Sequence, residues 1–176
     1  MSDLKRILDS FGKRVIQQAR TRLTKDKINF TKEAYNGLQY DLKGNDTKFT
    51  ITFSMPIHAS VLDEGISGTK KKYNTRFKYK ATSNLIGVEA KTGQFAKWAK
   101  FRGLRGRDNG YTKANGVKVK GTGRFITNKA FGFALAISQK KKGREGNKFF
   151  TKSFEQQFDK LPDEIANNLD LGLENI

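Results

Sequence analysis

The sequence predicts an α+β chain: helices at both ends, a β-hairpin between them, and a long basic, glycine-rich insertion. Three observations carry this. Apolar residues recur at three-and-four spacing near each terminus, as one face of a helix requires. Two runs of strict alternation flank a turn-forming segment in between. All the excess positive charge falls in one internal stretch. Residues 66–146 hold 21 Lys+Arg against three acids, Glu89, Asp108 and Glu145, whereas the rest of the chain holds 14 of each sign.

Leu4, Ile7, Leu8, Phe11, Val15, Ile16, Ala19 and Leu23 predict an amphipathic helix over 3–23, with Ser2 or Asp3 able to cap its free amides. Leu38, Tyr40 and Leu42, then Phe49, Ile51 and Phe53, alternate with polar residues about Lys43-Gly44-Asn45-Asp46-Thr47, which is a hairpin pattern. Pro56 ends the second strand. A short helical turn over 58–63 then stops at Gly65. Near the C-terminus, Phe150, Phe154, Phe158, Leu161, Ile165 and Leu169 repeat the helical spacing, and Pro162 predicts a break near Leu161 because it lacks a backbone donor.

The insertion, placed at 66–130 within a single domain of residues 1–176, reads as extended and loop-rich. Segments 73–79 and 85–88 suggest strands, and 95–101 one or two helical turns. Six glycines in 103–123, with weak alternation at Val117 and Val119, suggest an extended loop or long hairpin, of a length that usually serves a function. A helix over 128–142 follows, with Ala130, Phe131, Ala134, Leu135 and Ile137 expected to be buried. Lys140, Lys141 and Lys142 suit the negative end of its dipole before Gly143.

The chain has 176 residues, 36% apolar and 30% charged, with a net charge of +18. That balance points to acidic neighbours: nucleic acid, an anionic membrane or an acidic protein surface. Cysteine is absent, which removes disulfides, thiolate metal sites and cysteine nucleophiles together. The N-terminus has no apolar signal core and no run is long enough to span a bilayer, so a soluble protein is expected.

Candidate chemistry is sparse. Gly121-Thr122-Gly123-Arg124-Phe125-Ile126 opens like a dinucleotide fingerprint, but Ile126 replaces its third glycine, and no Gly-Lys-Ser/Thr triplet occurs. Asp63 with Glu89-Ala90-Lys91, read on a strand, outlines a metal-dependent nuclease, in which two carboxylates hold a cation and lysine activates water. These residue types are abundant enough to match by chance. His58, the single histidine, lacks a placed partner for general-base work and reads as a packing or hydrogen-bonding residue. Lys5, Arg6, Lys13, Arg14, Arg20 and Arg22 would suit anionic lipid, yet the helix's apolar face reads as core-forming. Aromatics interleave with cations through the insertion, as base stacking on a single strand or the apolar side of strands would require. No zinc finger, RNA-recognition signature or recognition helix is present, so contact at the level of phosphate and shape is expected.

In order, several segments resemble the tail-completion (neck, head–tail joining) proteins of tailed bacteriophages. Ala34-Tyr35-Asn36-Gly37-Leu38 resembles the family's Thr-Gly-x-Leu-like turn into a strand, with Asn for Thr. His58-Ala59-Ser60-Val61-Leu62-Asp63-Glu64-Gly65-Ile66-Ser67-Gly68 resembles its Tyr-Ala-x-Φ-Φ-Asp/Glu-x-Gly segment (Φ apolar), with His for Tyr. Phe95-Ala96-Lys97-Trp98-Ala99 resembles its Trp-containing helix, residues 130–143 its late helix, and Asn147-Lys148-Phe149-Phe150 its closing Pro/Asn-x-Phe-Φ element. The resemblance implies a small antiparallel sheet packed by N- and C-terminal helices, and a structural virion protein rather than an enzyme. It implies no cofactor and no metal, a homo-oligomeric ring, and portal and tail proteins as partners. Ala59, Leu62, Asp63, Gly65, Gly68, Trp98, Phe149 and Phe150 then become structural motif residues. Lys70, Lys71, Lys72, Arg76, Arg102, Arg105, Arg107, Lys118, Lys120 and Arg124 become contacts to channel DNA or to neighbouring subunits. The charge alone fits a free, sequence-nonspecific nucleic-acid-binding protein as well; the nuclease stands third.

Overall fold

The structure, a computed structural model, describes residues 3–28, 31–45, 48–113 and 115–173. The expected cap at Ser2, the turn residues Asp46 and Thr47, and the Leu169 side chain lie outside the described residues. The fold is α+β, helices dominating over short two-stranded ladders. Two compact units divide the chain: residues 1–65 together with 146–176, and residues 66–145. The second begins where the basic stretch begins and continues past residue 130 to take in a whole helix.

In the first unit, α1 (Asp3–Lys25) buries Ile7, Phe11, Val15, Ile16, Ala19 and Leu23 along one face. That face packs on the hairpin of β1 (Gln39–Gly44) and β2 (Phe49–Ser54), and on α7 (Phe149–Phe158) and α8 (Leu161–Leu173). The antiparallel register pairs Tyr40 with Phe53 and Leu42 with Ile51, so the alternating apolar positions share the side turned towards α1. Phe53 is the hub. Its ring meets Phe11, Phe150 and Phe154 edge-on, with centroids 5.5–6.1 Å apart, the arrangement aromatic quadrupoles favour. A short α2 (Glu33–Asn36), which periodicity is too brief to reveal, leads into β1. Asp159 and Lys160 separate α7 from α8, and Pro162 sits in the first turn of α8, where a missing donor is harmless.

Five of the six α1 cations that would suit a lipid surface have partners within this unit. Arg14 bonds Gln157 and Glu164, Arg20 donates to the carbonyls of Tyr35 and Leu38, and Arg22 donates to Gln156. Lys13 pairs with Asp9 and Arg6 with Asp3. Among the described residues, no helix is long and apolar enough to cross a membrane.

In the second unit, α4 (Leu85–Thr92) and α5 (Gln94–Phe101) pack on α6 (Asn128–Lys142). The strand suggested at 85–88 is therefore a helix. Asn84 caps it by accepting from the Gly87 amide, a local signal stronger than the β-branched content of the segment. Segment 73–79 contributes only an isolated bridge, Ser67 to Lys78. The buried face of α6 also differs from expectation. Gly132 and Ala136 are buried, Phe131 and Leu135 are half-buried, and Ala130, Ala134 and Ile137 are exposed. Small residues four apart let α4 and α5 approach closely: a Cβ at Gly132 would collide with the Glu89 carboxylate and Ala96.

The small antiparallel sheet packed by the terminal helices is the β1–β2 ladder, and two further two-stranded ladders accompany it. β1 pairs with β2, β3 (Gly65–Ser67) with β6 (Gly143–Glu145), and β4 (Gly110–Thr112) with β5 (Lys118–Lys120). The last pair makes 103–123 a hairpin arm rather than open chain. At the end of α6, the amides of Thr69, Lys70 and Lys71 donate to the carbonyls of Lys140 and Lys141, supplying partners that a helix terminus otherwise lacks.

Candidate nucleic-acid interface

Residues 66–145 carry the whole net charge of the protein, +18. Two of their three acids are committed to backbone amides. Glu89 is buried and accepts from Phe95 N at 2.7 Å and Ala96 N at 3.0 Å. Gly93, left-handed at φ 59°, separates α4 from α5 by a single residue and offers no side-chain cap. The carboxylate of α4 therefore caps α5, where the dipole also favours it. Asp108 accepts from Gly110 N, Thr122 N and Thr122 Oγ1, each at 3.0 Å. The Thr122 amide, then the Gly110 amide and the Thr122 hydroxyl, hold its carboxyl below the usual aspartate range. Neither acid is spent on neutralising a lysine or arginine.

All ten cations proposed from the sequence are exposed. Lys70, Lys71 and Lys72 lie in the turn crossing the end of α6, and the Lys72 ammonium donates to Gly68 O. Arg76 lies over Phe77, Lys71 over Tyr73, and Arg102, at the C-cap of α5, over Trp98, at 4.8–6.0 Å from the ring centroids. Arg105 and Arg107 both lie over Phe125, at 5.9 and 4.5 Å. Lys118 and Lys120 stand on one face of β5, and the Arg124 carbonyl accepts from Asp108 N. Five of the ten, Lys71, Arg76, Arg102, Arg105 and Arg107, thus have their charged ends set over aromatic rings. Arg144, on β6, is half-buried; desolvation lowers its pKa, the nearby Tyr79 opposes this and the Arg102 charge adds to it.

The residues of the nuclease outline have other partners. Glu89-Ala90-Lys91 lies on a helix, not a strand, and Glu89 caps α5. Asp63 belongs to the other unit, where it is buried and accepts from Phe150 N at 2.6 Å and from the Thr151 hydroxyl. Among the described residues, no group of three His, Cys, Asp or Glu side chains is placed to hold a metal ion. His58, in the first turn of α3 (Ile57–Glu64), has Nε2 3.6 Å from a Glu33 carboxylate oxygen.

The motif residues have structural roles. Ala59, Asp63, Gly65 and Phe149 are buried in the first unit, with Leu62 and Phe150 packed beside them. Gly65 ends α3 at φ 86°, a conformation side chains avoid. Lys148 precedes α7 in a left-handed conformation and gives it no side-chain cap, and Asp63 supplies one from α3. In the second unit, Gly68 is buried against the end of α6 and Trp98 is half-buried on α5.

The residue missed by sequence reasoning is Asp108. A signal for it exists: it is the lone acid between Glu89 and Glu145, followed by the turn-forming Asn109-Gly110. No family model, curated protein or solved structure matches the chain.

Proposed function

We propose that this chain is a structural virion protein of the phage neck, a tail-completion protein that joins other copies of itself in a ring around the DNA channel between head and tail. The observation that carries this reading is the closure between two of the segments on which the family resemblance rests. Asp63, in the Ala59 to Gly65 segment, binds the amide of Phe150, in the Asn147 to Phe150 segment, 87 residues later. Asn147 N and Lys148 N also donate to the carbonyls of Leu62 and Asp63. Two loose motifs acquire a joint physical purpose: they close a neutral frame at the point where the basic unit leaves and re-enters it. A ring of such frames sets cationic units against packaged DNA or against the portal and tail proteins, and no step of that task is catalytic.

A second reading, a free sequence-nonspecific nucleic-acid-binding protein, is favoured by the partition of charge alone. Mass spectrometry of purified virions separates the two. Copies in stoichiometric amount, with cyclic symmetry at the neck in a reconstruction, are expected. Absence from virions, or one isolated copy without cyclic symmetry, overturns the neck reading.

A further inference from the structure

Residues 105–113 and 115–126 form an arm whose backbone is closed by its own hydrogen bonds before any partner arrives. Its stem is closed by Asp108 N to Arg124 O at 2.9 Å, Gly123 N to Asp108 O at 2.8 Å and Ile126 N to Gly106 O at 3.0 Å, with Arg107 bridged to Phe125. Gly106 is buried on the Phe131 ring of α6, with no room for a Cβ, so the stem has a firm seat. Beyond it, Gly110 pairs with Lys120, Tyr111 with Val119 and Thr112 with Lys118. Alternation then puts Lys118 and Lys120 on one face of the ribbon and Tyr111 and Val119 on the other.

Phe125 is 57% exposed, yet its ring is engaged by the guanidinium groups of Arg105 and Arg107. A ring used this way orients charge on the face its cation covers, and Tyr111, 63% exposed, stands on the ribbon face opposite Lys118 and Lys120. Tyr73, Phe77 and Trp98 are engaged by cations in the same manner. Single-strand recognition needs free rings; phosphate recognition needs oriented cations. A two-stranded ribbon is also of a width that a duplex groove admits.

We propose that the β4–β5 arm is a pre-formed ribbon for double-stranded DNA, in which Arg105, Arg107, Lys118 and Lys120 meet backbone phosphates and Asp108 is the positioning residue that holds them. This rests on the reading that the basic unit meets DNA, but needs neither a ring nor a virion.

The test is fluorescence anisotropy of the full chain on a random-sequence duplex of about 24 base pairs, over a salt series. A single strand of equal length and polyglutamate serve as competitors. Duplex binding is expected to ignore base sequence. Arg105→Ala with Arg107→Ala should flatten the log–log salt slope by about 1.8, at about 0.9 for each phosphate that is no longer neutralised. Phe125→Leu keeps the charge and should weaken binding about three-fold at unchanged slope. Asp108→Asn is the decisive variant. It makes the protein more positive, so charge alone demands tighter binding, whereas loss of positioning demands weaker binding. Should Asp108→Asn fail to fold, Thr122→Val removes one of its hydrogen bonds without changing charge, and should weaken binding at unchanged slope.

Tighter or unchanged binding by Asp108→Asn or, if that fails to fold, by Thr122→Val overturns the proposal. So does an unaltered slope in the double arginine variant, or preference for the single strand. Polyglutamate competing as well as duplex would assign the arm to an acidic protein instead. If the wild-type chain ignores duplex altogether, the arm proposal and the DNA-contact reading fall together. If the variants behave as expected but virions lack the protein, only the neck reading falls.

Discussion

Asp63, Glu89 and Asp108 each satisfy backbone amides beyond their own local turn, and two of them, Asp63 and Glu89, suggest a metal site when read as sequence. Replacing Asp63 by Ala strands the amide of Phe150 and the hydroxyl of Thr151, both on half-buried residues. Loss of such a cap and its buried bonds costs about 1–3 kcal/mol, to be read as a lower urea midpoint at unchanged m-value. Asp108 gives a pH prediction with a definite sign. Its carboxyl titrates lower in the folded arm than in the unfolded chain. Its contribution is therefore present above about pH 4, the ordinary aspartate value, and is lost as pH falls through the lower folded one. Protection of the Gly110 and Thr122 amides, relative to their intrinsic exchange rates, should fall below pH 4 before the rest of the second unit opens. Tyr40 behaves in the opposite sense. Burial, with the 2.8 Å bond to Asp9, raises its phenol to about 12. Its contribution is intact below about pH 10, the ordinary phenol value, and fades as pH climbs towards 12. Ultraviolet titration should find one tyrosine ionising late, and Tyr40→Phe should remove that phase.

The elements differ in how well local chemistry specifies them. Helix α6 is instructive because its largest side chains suggest one buried face while its smallest residues form the actual one. Gly132→Ala should raise intrinsic helix propensity by about 1 kcal/mol. It should nonetheless lower the melting temperature, because the new Cβ lands on the Glu89 carboxylate and Ala96. A rise in melting temperature would mean that α4 and α5 sit farther from α6 than described. The same contrast explains what is legible in the sequence. α1, the β1–β2 hairpin, α3 and the break before α8 are all readable, since each is specified by its own periodicity or by a proline or glycine. α4 is not. Leu85-Ile86-Gly87-Val88 is short, apolar and β-branched, and it is helical because Asn84 caps it and α6 covers it. The cations of the candidate interface are legible as charge. Their orientation on Phe125 and the tie at Asp108 are not, because both depend on pairing across the arm, between residues 14 or more positions apart.

For the whole molecule, the partition of charge has a thermodynamic consequence independent of any partner. A unit of 21 cations and three acids repels itself, and its compact state concentrates that repulsion. The other unit is neutral overall and holds the α1 ion pairs of Arg14, Lys13 and Arg6. Raising ionic strength from about 0.01 to 0.15 M shortens the screening length from about 30 to 8 Å, which relieves repulsion in the basic unit and weakens exposed ion pairs in the neutral one. The two units should therefore respond to salt with opposite signs or, where the ion pairs contribute little, one should respond and the other not. Hydrogen exchange reads this directly. The amides of Phe95 and Ala96, capped by Glu89, report on the basic unit, and the amide of Phe150, capped by Asp63, reports on the neutral frame. Protection at Phe95 and Ala96 should increase with salt while protection at Phe150 stays level or declines. Equal gains at all three would mean that the two units open together, so that screening anywhere stabilises both. A decline at Phe95 and Ala96 would mean that attractive contacts outweigh repulsion within the basic unit. In that event self-repulsion would not govern the stability of the basic unit, and the thermodynamic consequence drawn from its charge would fall.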